Sequence, residues 1–490
     1  MKLKVVCLFL AMILLIGAVT SCQDQAPDQT STGDEETHET SESGEISDDL
    51  PDDVNYQNRE VKILAVDNTR TEFEADGSQT NVDQALFERN ANVESRFGVI
   101  LSFDTTITGG NTTQDEYVTR VENSLMSNTA EFDLFASYSM CGMTMALKGW
   151  LMNLEETDSY INFQKPWWPK TLAENLRVGD SVYFASGDIA LSYYYAMMFI
   201  LGNMDMMDDR GITTDPRQEV LDGTWTVERM FEYTTDIYED VNNSGTKDGF
   251  DIYGYIHRGQ VYSDMYLAGS NFRFIDRDES GKYVLGADSL DASRGVQLLT
   301  VLSDAFATDY CWYGNEEAET KAAIAEGRGL FLTTAPAQLI EAVSLGMNYS
   351  YAILPTPKYD ENQDHYYTNI SFTYTVWSVP QKAADPACST LIMEALAAEG
   401  YRNTTYAFYE TNLKYRYASD DSLNTQMFEI LRSYPYFEIT RACFDSLATN
   451  PVNIFRQRVA NRDTVWTSTM RSAKGYLEEF VKLNLQVKSE

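Results

Sequence analysis

The residues best placed by type and spacing for chemistry fall into two sets. Asp240, Asn242, Ser244, Gly245, Asp248 and Asp251 occupy positions 1, 3, 5, 6, 9 and 12 of a loop with EF-hand spacing, in which oxygen ligands wrap one hard cation. Asp251 stands where a bidentate Glu is usual and Lys247 adds a positive charge, so a structural calcium and a turn of similar composition are both open readings. The second set is the supply of carboxylates and rings: 74 Asp and Glu, 31 Tyr and 7 Trp. Carboxylates and amides bond hydroxyl groups, and aromatic faces stack on C–H surfaces, which together suit a polyhydroxylated solute. Histidine, by contrast, is limited after residue 55 to His257 and His365, which leaves little for a histidine metal site or a serine–histidine triad.

Candidate contacts follow from the elements that must carry them. Val61 to Val66 reads as a buried strand followed by Asp67 and Asn68. Asn81 with Gln84 has capping-box character, and Val82, Ala85, Leu86, Arg89, Val93 and Phe97 mark one helix face closed by Gly98. A strand from Val99, a helix after Thr113 and a strand from Phe132 to Ala136 complete β-α-β-α-β, hence a parallel sheet. Ligands of such sheets lie beyond the carboxyl ends of the strands, which nominates Asp67, Asn68 and Tyr138. Asp188, Tyr193, Asn271, Trp312, Tyr374 and Trp377 join them as polar or aromatic residues near other predicted strand ends and crossovers. Ile189 to Met204 is uncharged but too short and tyrosine-rich to span a membrane, and predicts buried strands. Val227 to Val241 predicts an amphipathic helix opened by Thr224-Trp225-Thr226.

The amino terminus sets the compartment. Lys2 and Lys4 precede an apolar run, and Val19-Thr20-Ser21 leads into Cys22, a pattern that resembles the bacterial lipobox. Residues 1–21 are therefore expected to be a signal peptide and Cys22 a lipid anchor. Residues 22–55 form an acidic stretch, with twelve Asp and Glu and no Lys or Arg between 23 and 54, expected to be a disordered tether. The net charge of −37 argues against nucleic acid as a partner.

Four stretches, in order, resemble the extracytoplasmic solute-binding proteins of ABC importers, in particular the sugar-binding family that includes maltose-binding protein. They are Asp180 to Tyr183 with the Asn203 region, Asp222-Gly223-Thr224-Trp225-Thr226, Glu326 to Phe331, and Ile353-Leu354-Pro355-Thr356-Pro357. Thr333-Thr334-Ala335-Pro336 replaces the Gly-Trp common in that family, so its stacking tryptophan is missing. The resemblance implies a type II periplasmic-binding-protein-like α/β fold. Each lobe would be a mixed, mainly parallel sheet flanked by helices, with residues 56–180 and 358–400 in lobe 1, residues 181–357 and 401–490 in lobe 2, and the ligand cleft between them. It further implies a monomeric, non-enzymatic receptor that needs no cofactor and passes a solute, in all expectation a carbohydrate, to an ABC permease in the membrane. Two alternatives stay open on the residues alone: a receptor for peptides or another polar solute, and a surface glycoside hydrolase using two of the many carboxylates.

Overall fold

The structure is a computed structural model, and it describes residues 46–66, 72–77, 80–107, 114–127, 129–314, 317–409, 422–443 and 450–483. Cys22, most of the acidic stretch, Asp67 and Asn68 lie outside the described residues. The first sheet is built as the apolar runs require. Strand β1 (Arg59–Val66) buries Val61 and every residue from Ile63 to Val66, as a central strand covered on both faces does. Helix α1 (Asn81–Phe97) is capped by Thr80, one residue before the expected cap; its side chain accepts from the Asp83 N–H. Gly98, at φ 60°, closes α1 in the left-handed conformation. Then come β2 (Val99–Ile107), α2 (Gln114–Met126) and β3 (Leu134–Tyr138). β1 lies between β2 and β3 and is parallel to both, the predicted β-α-β-α-β arrangement.

The uncharged run after residue 188 divides into two elements where buried strands were expected. Its first part is a short helix, α3 (Leu191–Tyr195), and only the second part is a strand, β4 (Phe199–Asn203). A segment enclosed by protein on all sides carries no polar face from which its period could be read. The next helix, α4 (Val227–Thr234), is capped by Thr226 as predicted. It ends seven residues before the expected Val241, because Asp236 adopts φ 63° and β5 (Tyr238–Glu239) pairs with β6 (Ile252–Arg258). Helix α5 (Ser293–Ala307), β7 (Cys311–Gly314), β8 (Gly329–Thr334), α6 (Pro336–Ser344) and β9 (Tyr351–Leu354) follow. The second sheet runs β9-β4-β8-β6-β5, with β7 also pairing to β6. The chain then returns: β10 (Thr375–Ser378) completes the first sheet, antiparallel to β3.

Two connections between the sheets therefore run side by side. Ala185 bridges to Trp377 and Met197 to Ile370, both antiparallel; the Met198 N–H donates to the Asn369 carbonyl at 2.9 Å and the Ser371 N–H to the Ala196 carbonyl at 2.8 Å. Helix α7 (Pro386–Glu399) leads to Gly400, where a Cβ would stand 2.1 Å from the Asp188 carbonyl oxygen. Only glycine permits that approach to the first connection. Helix α8 (Ser422–Ser433) packs against β9 of the second sheet. Among the described residues no helix is long and apolar enough to cross a membrane.

The described end of the acidic stretch is docked on this body. Leu50 is buried, and Asp48, 6% exposed, pairs with Arg96 at 2.6 Å and Arg402 at 3.4 Å. Burial works to raise the Asp48 carboxyl, but hydrogen bonds from Arg96 and the Leu50 N–H, with the charges of Arg96 and Arg402, hold it below the ordinary value. The contribution is therefore present above the unfolded carboxylate pKa and lost as pH falls through the lower folded one. D48A should cost about 1–3 kcal/mol in urea unfolding at pH 7 and progressively less as the pH falls below the unfolded carboxylate pKa and through the lower folded one. An equal loss at neutral and at acid pH would contradict the ion-pair account.

Candidate functional site

A cavity of about 450 Å³ opens where the two sheets face each other. One side is supplied by the connections and by the segment after β1: Glu72, Ser192, Tyr195, Ser371 and Thr373. The other is supplied by the second sheet: Arg258 at the carboxyl end of β6, Val261 and Tyr262 just after it, and Ala335, Ala337 and Gln338 at the start of α6. Strand ends collect here because β6 and β8 are parallel and both point their carboxyl ends at the same edge.

The second-sheet side is held by a chain of hydrogen bonds. The Arg258 Nη1 donates to the Tyr262 Oη at 2.5 Å, and that hydroxyl donates to the Gln338 Oε1 at 2.9 Å. The Arg258 N–H donates to the Thr333 Oγ1 at 2.7 Å, which ties the end of β6 to β8. With its oxygen engaged by Tyr262, Gln338 has amide N–H groups as its remaining donors. This wall thus offers a guanidinium, an amide and a tyrosine, between short Ala and Val side chains that leave room for a ring.

The opposite side rests on Glu72, which is 2% exposed. Its Oε2 accepts the Ser192 N–H at 2.7 Å and its Oε1 accepts the Thr375 hydroxyl. The Ser192 Oγ in turn accepts the Thr375 N–H at 3.0 Å. Burial pushes the Glu72 carboxyl above its ordinary value, while the hydrogen bonds from Thr375 and Ser192 and the charge of Arg89 oppose that rise. Beneath it lies Arg89, fully buried, whose guanidinium burial pushes down to about 10.

None of the seven described residues nominated from the sequence as solute contacts lines this cavity; most pack in the core beside it. Tyr138 is buried edge-on against Phe372, and Trp377 is fully buried against Phe73. Tyr193 and Tyr374 are buried edge-on to each other at 5.9 Å. Asp188 is buried, accepting from the Tyr194 Oη at 2.8 Å and facing Arg432 at 3.6 Å. Trp312 stacks on Tyr253 at 5.9 Å, and Asn271 makes a left-handed turn at φ 48°. The cavity instead takes their neighbours, Ser192 and Tyr195 around Tyr193 and Thr373 before Tyr374. Glu72, Arg258, Tyr262 and Gln338 were not singled out. For Arg258 the signal existed in the strand-end rule, had β6 been recognised; for Gln338 it lay just beyond Thr333–Pro336, where the chain departs from the family pattern.

The loop of EF-hand spacing is occupied by its own donors. The Asp240 carboxylate accepts the Ser244 and Gly245 N–H groups, Asn242 donates to Asp248 at 2.9 Å, and buried Asp251 accepts from Tyr238 at 3.1 Å and the Asp248 N–H at 3.2 Å. Among the described residues no three His, Cys, Asp or Glu side chains gather as a metal site.

No family model matches the chain, and no curated protein sequence does. Solved structures do match in fold. A cyclo/maltodextrin-binding protein complexed with maltotetraose superposes with TM-score 0.55 at 12% identity, over 88% of this chain and 99% of that one. An ABC substrate-binding protein from Listeria monocytogenes in complex with cycloalternan gives 0.53 at 12%, over 87% and 99%. The GacH receptor of Streptomyces glaucescens, solved unliganded and with acarbose, gives 0.51 at 13%, over 87% and 99%. The chain has the two-sheet α/β fold of these binding proteins.

The Glu72 geometry separates two substitutions. E72Q can still accept from Ser192 through its oxygen and donate to Thr375 through its amide, so urea unfolding should register a change under about 1 kcal/mol. E72A leaves the Ser192 N–H without that acceptor and should cost about 1–3 kcal/mol or more. Equal effects of the two would show that the hydrogen bonds at this carboxyl do not matter.

Proposed function

We propose that the chain is an extracytoplasmic solute receptor that captures a carbohydrate between its two sheets and hands it to an ABC permease, held at the membrane by lipid on Cys22. The observation that carries this reading is the cavity between the sheets. One wall is a guanidinium, an amide and a tyrosine in a hydrogen-bonded row, the other a set of hydroxyls above Glu72. Hydroxyl groups of a sugar need donors and acceptors on both of their edges, and Tyr195 and Tyr262 add ring surface for its C–H faces. The solved structures that share the fold are named for maltodextrin, cycloalternan and acarbose complexes, which favours a sugar over a peptide.

Nothing in such a function breaks a bond. A solute that touches both walls stabilises the closed arrangement by its differential affinity for it, and the closed shape is what a membrane partner would recognise. The two adjacent connections are where that motion would be accommodated. Lipidation at Cys22 and the acidic stretch would keep the receptor near the permease while leaving it free to reorient.

A thermal-shift screen of the purified protein against mono- and oligosaccharides tests the reading. A bound sugar at about 100 times its dissociation constant adds about 2.7 kcal/mol of stability, without turnover of the sugar. Y262A and Q338A should each weaken the best sugar about tenfold or more, equivalent to about 1.4 kcal/mol, and Y262A should also lower unliganded stability, because Tyr262 is buried and bonds both Arg258 and Gln338. A shift with peptides and none with any sugar would overturn the carbohydrate assignment, and release of cleaved sugar would overturn the receptor.

A further inference from the structure

Arg89 has no place in the solute contacts, yet it is a fully buried guanidinium in the middle of α1. A charge so placed is costly unless its donors are engaged. Its Nη1 donates to the Ile189 carbonyl at 3.1 Å, on the first connection between the sheets, and its Nη2 donates to the Glu72 carbonyl at 3.2 Å. Nε and Nη2 also donate to the Asn90 Oδ1 at 3.0 and 2.9 Å, and the Asn90 Nδ2 donates to the Phe73 carbonyl at 2.7 Å. Two consecutive residues of α1 thus grip the 72–73 segment and the first connection together. The chain of contacts then continues through the Glu72 side chain to Ser192 on the first connection and Thr375 on the second.

We propose that Arg89 is a positioning residue for the cleft: by fixing Glu72 against the first connection, it makes the two connections respond as one unit to what occupies the cavity. Among the described residues, the hydrogen bonds that Arg89 makes outside α1 go to the Ile189 carbonyl on the first connection and to the Glu72 carbonyl. Any effect of Arg89 on Thr375 must therefore pass through the Glu72 carboxylate and Ser192, and that path distinguishes positioning from local packing. The inference rests on reading the cavity as the binding cleft for what the coupling serves. Its test needs no solute, so its failure and the failure of the carbohydrate assignment are separate results.

Hydrogen exchange on the solute-free full chain, compared between wild type, R89Q, R89K and E72A, reads the path. In R89Q, exchange at both Ser192 and Thr375 should quicken about tenfold or more while Tyr253 to Ile256 in β6 stays within about twofold of wild type. E72A removes the acceptor of the Ser192 N–H and of the Thr375 hydroxyl, so exchange should quicken at Ser192 and, through the loosened Ser192 Oγ, at Thr375, without touching the residue at position 89; it supplies the test should R89Q fail to fold. A carbon-13 titration of the Glu72 carboxyl should move upward in R89Q, where the neighbouring positive charge is lost, and return toward wild type in R89K, where it is kept. Quickened exchange confined to Glu72, Phe73 and Ile189 in R89Q, or protected Ser192 and Thr375 amides in E72A, would overturn the proposal. So would a Glu72 titration that ignores the charge at position 89.

Discussion

A carboxylate withdrawn from water must have its oxygens satisfied by the protein, and at Glu72 that requirement organises the centre of the molecule. One oxygen takes a backbone N–H from the first connection, the other a hydroxyl from the second. Neither donor is near Glu72 in sequence, so the interaction forms only when the chain has left the first sheet, built the second and returned as β10. The carboxyl thereby records that the topology has been completed. It also places Ser192 and its neighbours at the cavity.

The cavity itself follows from strand direction. In the first sheet β1, β2 and β3 are parallel, and in the second β6 and β8 are parallel, so each sheet has an edge at which strand ends and following loops accumulate. The paired connections bring those two edges face to face. Polar residues at the ends of strands then line a gap, while the aromatic residues one or two positions away turn inward and pack. Tyr193 and Tyr374 form part of that packing, Ser192 and Thr373 line the cavity, and Tyr195 does both, lining the cavity while packing edge-on against Phe408 at 4.9 Å. Cavity lining and core packing are separated here by single residue steps.

The same single steps limited what the sequence could reveal. The alternation of apolar strands and amphipathic helices from Val61 to Tyr138 was legible because continuous apolar runs alternate with helices that carry one polar face, and the parallel direction of those three strands followed from it. The helix start at Thr226 was legible from its capping residue, but its end was not, because Asp236 in a left-handed conformation leaves no periodic signature. Between Ile189 and Met204 every residue is uncharged, so helix and strand could not be told apart. The strand-end rule nominated Asp67 and Asn68, which lie outside the described residues, and Tyr138, which apolar burial draws into the core. Arg89 was legible as a member of the inner face of α1, but its partner Ile189 was not, and Glu72 gave no signal because a lone Glu after a strand meets its partners Ser192 and Thr375 only through the tertiary fold.

The most direct test of this account is a crystal structure of the protein grown with the saccharide that stabilises it most. The account predicts density for the sugar between the sheets, in contact with Arg258, Tyr262 or Gln338 on one side and Ser192, Tyr195 or Thr373 on the other. A sugar bound elsewhere on the surface, with the cavity between the sheets filled only by water, would contradict it.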